Sequence, residues 1–508
     1  MLPTESQQTL CARMHEVVTR RANHVAVQEH DRSFTYAEFD AMIDRVHRML
    51  RHAGRDAREP VGLLLDRSAL AYAAMWASIS LGRAYVPLNT SYPHSRLKDI
   101  IGQSRLGTVV CDENTRDLAL ALGIDTSRLV VAAAVESAAD SAGFESPWWQ
   151  VRTGHSIAYV LFTSGSTGRP KGVPISYDSL LAFIDNINSL IEYKEDDICS
   201  QTCELSFDFS VHETYLALLN GCTLCPARRI ELFNPAMYVA NRSITIWIAV
   251  PSLARVILNN GISIGKSLHS IRTSIFNGEA LTTTLATAWR NAAPNTEIWN
   301  FYGPTECTVA VTAHRWSDHA DTHENDVITI GSPFADCDAA LLDDTRIVPV
   351  ASADDGSIGE LLLATPQGFS GYTDKSLASP FVTDDHGKTY YRTGDRVRWR
   401  AGMLYHIGRV DHQVKIGGHR IELMEIEHRL RDCLETESLA VIAYPANRPT
   451  ELVLFIEGTS EPPPLHAEKL GLPQYMLPRR TIVLETLPSN PHGKLDRAAL
   501  QSLAEIKR

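Results

Sequence analysis

The sequence carries no long block of Lys or Arg, and its formal net charge is −12 over 508 residues. That balance disfavours a nucleic-acid binder, whose affinity rests on neutralising phosphates. The N-terminus, MLPTESQQTL, lacks a basic segment followed by an apolar one, so no signal peptide is expected. The most apolar early stretch, Ser68 to Leu81, is too short and too interrupted to span a bilayer. A dense cysteine framework is also missing. The nine cysteines are odd in number and scattered, which fits reduced thiols and points to the cytoplasm. Cys199, Cys203, Cys222 and Cys225 raise the question of zinc. No Gly-rich turns accompany the pairs, so buried cysteines in or beside strands are expected instead. There is no short internal repeat.

What is present suits a globular enzyme of several subdomains: 44% hydrophobic and 21% charged residues. Phe39, Met42, Ile43, Val46, Met49 and Leu50 repeat at helical spacing, with Gly54 placed to end the helix. A strand at 60–65, a helix at about 68–81, the strand AYVPL, a helix near 94–103 and the strand TVVCD follow. This βαβα rhythm predicts an α/β fold with a large N-terminal part of doubly wound parallel sheets. Near residue 408 the pattern turns polar and glycine-rich. A helix at about 423–434 and the strands LAVIAY and LVLFIE then predict a second, smaller α+β domain.

LFTSGSTGRPKG (161–172) follows a nearly all-apolar strand pattern at 157–162. Leu180, Phe183, Ile184, Ile187, Leu190 and Ile191 then line one helical face. The loop therefore sits at the carboxyl end of a buried strand, where open α/β sheets place ligands. It is not GxxxxGK[ST], because Gly172 follows Lys171, and GxSxG also fails. The means of holding phosphate remain. There are open backbone N–H groups at Gly165 and Gly168, hydroxyls on Thr163, Ser164, Ser166 and Thr167, and the mobile cation Lys171.

This string resembles the signature loop of the adenylate-forming superfamily, which holds acyl-CoA synthetases, luciferases and the amino-acid adenylation domains of nonribosomal peptide synthesis. The resemblance recurs in order along nearly the whole chain. It runs through SFTYAEFD (33–40), LGRAYVPLN (81–89), FDFSVHE (207–213), NFYGPTE (300–306), GELLLATPQGFSGYT (359–373), YRTGD (391–395), GRVDHQVKIGGHRIEL (408–423), LPQYMLP (472–478) and GKLDR (493–497). FDFS and YGPTE resemble the amino-acid branch, including the D-alanine–carrier protein ligases.

The resemblance implies ATP and Mg²⁺ as cofactors and a reaction in two halves. A carboxylate attacks the α-phosphate of ATP and releases pyrophosphate; a thiol then attacks the adenylate and releases AMP. Positive charge must be in place before two anions can meet. By resemblance, loop 163–171 holds the β- and γ-phosphates, Thr305 contacts the α-phosphate and Glu306 ligates Mg²⁺. Tyr302 stacks on adenine, Asn300 pairs with its amino group, and Asp395 and Arg409 hold the ribose. Lys494 is the catalytic cation, carried by the small domain. The implied division is a core at 1–408, a hinge at 409–412 containing Asp411, and a mobile lid at 413–508.

Asp208 decides substrate class in this reading, since a carboxylate in a desolvated pocket favours a substrate ammonium. The other implied pocket positions are Phe209, His212, Ile248, Ile275, Asn277, Phe301, Val309 and Ala310. Two Phe and two Ile fill volume, which suggests a small amino acid. Asn277 also leaves room for a β-amino acid. Tyr177 and Met424 depart from the family pattern, as does His492. The chain ends 14 residues after Lys494, and no carrier or condensation segment is visible. The expectation is therefore a free-standing ligase that loads the phosphopantetheine thiol of a separate carrier protein near Gly417 and Gly418. An acyl-CoA ligase is the rival enzyme, and a non-catalytic nucleotide binder the rival of another class.

Overall fold

The computed structural model describes residues 9–53, 59–132, 147–150, 156–165, 169–259, 268–317, 323–324, 326–343, 346–411, 413–436, 438–458, 464–488 and 495–506. Two sheets built around parallel strands form the first part. One has six strands, in the order Leu129–Val131, Thr108–Cys111, Val61–Leu64, Tyr85–Pro87, Ile157–Thr163 and Lys171–Ser176, with only the last pair antiparallel. The other has nine strands, and its parallel centre includes Ile198–Gln201, Ile246–Ala249, Thr273–Phe276 and Glu297–Tyr302.

These strands read as continuous apolar runs because helices cover both faces. Helix Ala69–Ser80 is buried at every position except Leu70. That is why its sequence is Ala-rich and shows no polar stripe. Ser68 and Ser176 cap the helices that follow them, accepting from Ala71 N at 3.3 Å and Ser179 N at 3.0 Å.

A third sheet, of six strands, was not separated from the rest by the sequence rhythm. It is antiparallel, and its long strand Thr389–Arg400 pairs with both Ile358–Ala364 and Met403–Arg409. Beyond it come the hairpin Gln413–Ile416 with His419–Glu422, helix Leu423–Leu434, and a three-stranded sheet of Leu439–Tyr444, Glu451–Glu457 and Arg480–Leu484. Helix Leu423–Leu434 packs on one face of that sheet and helix Arg497–Ile506 on the other. The fold is thus mixed α/β, with a large sheet-containing N-terminal part and a smaller C-terminal sheet domain. Among the described residues no helix is long and apolar enough to cross a membrane. Cys199 and Cys225 lie buried on adjacent strands, with Cys222 buried beside them.

Candidate functional site

A cavity of about 380 Å³ lies where the carboxyl ends of the parallel strands meet the hairpin 413–422. Thr163, Ser164, Asp208, Phe209, Asn277, Thr305, Asp395 and Arg409 line it from the large part; Lys415, Gly417, Gly418, His419 and Arg420 close it from the other side.

The phosphate loop closes a hairpin, since Thr163 stands opposite Lys171 in the strand register. Gly165 is forced: a Cβ there would lie 2.1 Å from the Arg169 carbonyl oxygen. Its N–H donates to Glu425 Oε2 at 3.0 Å, and Ser164 Oγ donates to the Arg420 carbonyl at 2.8 Å. Thr163 Oγ1 is buried and, among the described residues, has no hydrogen-bond partner, so its bonding capacity is open to a ligand. Lys171 Nζ lies 3.7 Å from Glu422 Oε1 and 5.5 Å from the centre of the Tyr372 ring. Desolvation, then Arg420, lowers its pKa. Ser166, Thr167 and Gly168 lie outside the described residues.

Glu306 is fully buried, with Arg420 Nη1 at 2.7 Å and the Tyr372 hydroxyl donating at 2.9 Å. Desolvation opposes its charge, but Arg420 and Lys171 outweigh this and hold it below the usual carboxylate range. Thr305 begins the 3-10 turn Thr305–Cys307 that carries Glu306 and lines the cavity with Asp208. The Asp208 carboxyl is raised by desolvation, against the pull of Thr305 and Lys415.

Asp395 and Arg409 are register partners on adjacent strands, and Arg409 Nη1 donates to Asp395 Oδ1 at 2.6 Å. The Tyr302 hydroxyl donates to Asp395 Oδ2 at 2.6 Å, and His406 Nε2 lies 3.1 Å from Oδ1. Burial works against this carboxylate; His406, Arg409 and Lys415 hold it well below its ordinary value. Arg409 also grips Asp411 with two hydrogen bonds of 2.7 Å. Tyr302 and Asn300 are buried behind the cavity wall, and Asn300 Nδ2 donates to the Thr329 carbonyl at 2.9 Å.

Of the remaining expected pocket positions, His212, Ile248, Ile275, Phe301, Val309 and Ala310 do not line the cavity; they are buried in the core, and all but His212 share the apolar cluster that includes Phe209. Ile248 and Ile275 stand opposite each other on parallel strands, and with Phe301, Val309 and Ala310 they are almost wholly buried. After Phe209–Val211 the helix widens into a π-turn over His212–Leu216, a feature common at functional sites. His212 Nε2 lies 2.9 Å from the Tyr193 hydroxyl while Nδ1 has no partner among the described residues, and burial pushes its pKa down to about 3. Asn277 Nδ2 donates to the Val309 carbonyl at 3.0 Å. That bond helps hold Thr308 and Val309 in the left-handed region, at φ 56° and 69°.

Lys494 lies outside the described residues. Its neighbour Leu495 packs with the cluster of Ala440, Phe455 and Leu500, on the face of the small sheet that carries helix Arg497–Ile506. Sequence reasoning missed Lys415, Arg420, Glu425 and Arg96. The first two lie inside the motif at 408–423, from which Arg409, Asp411, Gly417 and Gly418 were singled out and the two cations were not. Arg96 and Glu425 meet at 2.8 Å across 329 positions, a contact no local pattern signals. Tyr177 is buried and its hydroxyl accepts from Leu10 N, whereas Met424 is exposed.

A family model described as "AMP-binding enzyme" matches residues 14–373. The chain is 30% identical over 508 residues to surfactin synthase subunit 2 of Bacillus subtilis (strain 168), covering 96% of this chain and 14% of that protein. It is 32% identical over 509 residues to phosphinothricin tripeptide synthetase PhsC of Streptomyces viridochromogenes, covering 97% of this chain and 45% of the relative. The chain thus spans less than half the length of either. Among solved structures, the Vibrio cholerae adenylation domain AlmE in complex with glycyl-adenosine-5′-phosphate superposes with a TM-score of 0.86. The two are 27% identical, covering 100% of this chain and 99% of the other.

Proposed function

The chain belongs to the AMP-binding enzyme family and is homologous to the adenylation domains of nonribosomal peptide synthetases; on that premise we propose that it activates a small amino acid as its adenylate, with ATP. It then passes the aminoacyl group to the phosphopantetheine thiol of a separate carrier protein. The observation that carries the amino-acid reading is Asp208, a buried carboxylate that lines the cavity together with Thr305 and Phe209. A substrate ammonium is the partner this carboxylate favours, and the buried apolar cluster around Phe209 supports a small side chain. The glycyl adenylate of the similar Vibrio cholerae domain is the kind of intermediate this reading requires.

In adenylation, Gly165, Lys171 and the Thr163 hydroxyl hold the leaving phosphates, and Thr305 lies beside the point of attack. Asp395 and Arg409 position the ribose. The buried carboxylate of Glu306, which already faces a cation, fits a hard divalent ion. Mg²⁺ bound there would neutralise phosphate charge. Lys494 supplies the remaining positive charge from the small domain, residues 413–508, which turns on a hinge at 409–412. Pyrophosphate exchange across the amino acids, including D- and β-forms, tests the first half. Exchange with small amino acids is expected, and exchange with none overturns the reading. Loading of a phosphopantetheinylated carrier against free CoA tests the second half; turnover with CoA alone would make the protein an acyl-CoA ligase.

A further inference from the structure

The backbone just past Glu306 is held where L-residues rarely go. Thr308 and Val309 are both β-branched, and their φ values are 56° and 69°. The Ala310 N–H donates to the Thr308 carbonyl at 2.8 Å, which closes a three-residue ring around Val309. A positive φ at the centre of such a ring is the rare and strained form of the γ-turn. The turn lies against a segment of the cavity wall, since a Cβ on Gly303 would stand 2.6 Å from Ala310 Cα. Strain of this kind persists only where neighbours over-determine it. The neighbour here is Gln367, a fully buried side chain. Its Nε2 donates to the Ala310 carbonyl at 2.8 Å and shares its second hydrogen between the carbonyls of Cys307 at 3.3 Å and Thr308 at 3.4 Å. Thr308 Oγ1 donates back to the Gln367 carbonyl at 2.6 Å. Gln367 Oε1 accepts from Asn186 Nδ2 at 2.7 Å, and the same Nδ2 donates to Asp336 Oδ1 at 2.7 Å. The Asp336 carboxylate fixes which end of the Asn186 amide is the nitrogen, and so the way the Gln367 amide faces.

We propose that Gln367 is a positioning residue of the adenylating site: it holds the strained turn at Val309 and, through it, the carboxylate of Glu306 and the hydroxyl of Thr305. This rests on the reading of Glu306 as the ligand of a divalent cation. The segment that carries Gln367 reaches Glu306 twice more. The Phe369 N–H donates to the Glu306 carbonyl at 2.8 Å, and the Tyr372 hydroxyl donates to Glu306 Oε1 at 2.9 Å. Residues 367–372 thus grip the stretch 306–310 both at its backbone and at its acid. From the other side, Asn277 on the cavity wall donates to the Val309 carbonyl at 3.0 Å. Gln367 does not line the cavity, so it acts through the turn alone. Without its amide, three carbonyls lose a donor while the strain at Val309 remains. The turn then relaxes toward ordinary backbone angles, and Glu306, three residues earlier, moves with it.

Calorimetry and hydrogen exchange on the full chain test this apart from turnover. In the parent, Mg²⁺ should tighten the binding of ATP. Gln367→Met keeps the length of the side chain and removes the amide. It should bind ATP alone as the parent does, while the tightening by Mg²⁺ falls about tenfold, the weight of one lost buried contact. The amides of 306–311 should exchange faster in this variant. Adding Val309→Gly to Gln367→Met should restore much of the Mg²⁺ effect, because glycine takes a positive φ without strain and needs no brace. If Gln367→Met fails to fold, Asn186→Ala, which frees the Gln367 amide to turn over, decides with a shift in the same direction. An unchanged Mg²⁺ effect in the variant overturns the positioning role and leaves Glu306 as the cation's ligand. A lost effect that Val309→Gly does not restore overturns the account from strain. No Mg²⁺ effect in the parent overturns the reading of Glu306 and the proposal with it.

Discussion

At the scale of the residue, charge is decided by what surrounds it. Asp208 is raised by desolvation and steadied by Thr305 and Lys415. On the proposed reading a substrate ammonium completes its pairing, so Asp208→Ala should abolish amino-acid activation while ATP binding persists. A broken buried pair costs about 3–5 kcal/mol, or roughly two to four decades in kcat/KM. Pyrophosphate exchange beside nucleotide titration checks it, and equal exchange by variant and parent would remove the argument from charge. His212 makes a second case. Its folded pKa, about 3, lies below the ordinary 6.5. Between those values the unfolded chain binds the extra proton, so stability is full above pH 6.5 and falls as pH drops toward 3. His212→Gln should lose less stability between pH 7 and pH 4 than the parent, by about 1–3 kcal/mol, in urea melts at the two values. The positions of Asp208 and Asp395 on the cavity were legible from motifs. The partners that set their charge were not, because Lys415 and His406 reach them only through tertiary packing.

At the scale of the element, the hairpin 413–422 is the part the sequence described least well. Its glycines were expected to allow close approach, and the contacts of the turn they form show what approaches them. Gly418 sits at φ +78°, its N–H donates to Glu279 Oε1 at 2.7 Å, and a Cβ there would meet Val250 Cγ1 at 2.5 Å. Gly418→Ala should therefore lift the hairpin from the large part. Carrier loading from synthetic aminoacyl-adenylate should drop at least tenfold, while pyrophosphate exchange falls little. Equal losses in both assays would make the hairpin part of one rigid site. The parallel strands were the most legible elements, since buried runs such as Ile157–Thr163 declare themselves. The antiparallel sheet around Thr389–Arg400 was not, because that long strand alternates irregularly between buried and exposed.

At the scale of the molecule, one cavity must serve two reactions that want different walls. Adenylation, as proposed, needs Lys494 against the α-phosphate. Among the described residues, Lys415 and Arg420 line the cavity. A lysine cannot share the space through which a thiol arrives, so the economical solution is rotation of the small domain about residues 409–412. Asp411 is exposed and, among the described residues, is hydrogen-bonded only to its near neighbours Arg409 and Gln413, which belong to the strands on either side of it. A hinge residue must change its backbone angles, and proline forbids this by fixing φ near −65°. Asp411→Pro should impair one half-reaction far more than the other. Asp411→Asn, which keeps the backbone free but weakens the grip of Arg409, should leave both closer to the parent. Lys494→Ala should slow adenylation by several decades and largely keep transfer from supplied aminoacyl-adenylate. Pyrophosphate exchange reads the first reaction, and carrier loading from synthetic adenylate reads the second. If Asp411→Pro and Lys494→Ala slow both to the same extent, the domain does not alternate, and the arrangement of Arg420 on Glu306 is a fixed part of the site rather than one of its two states.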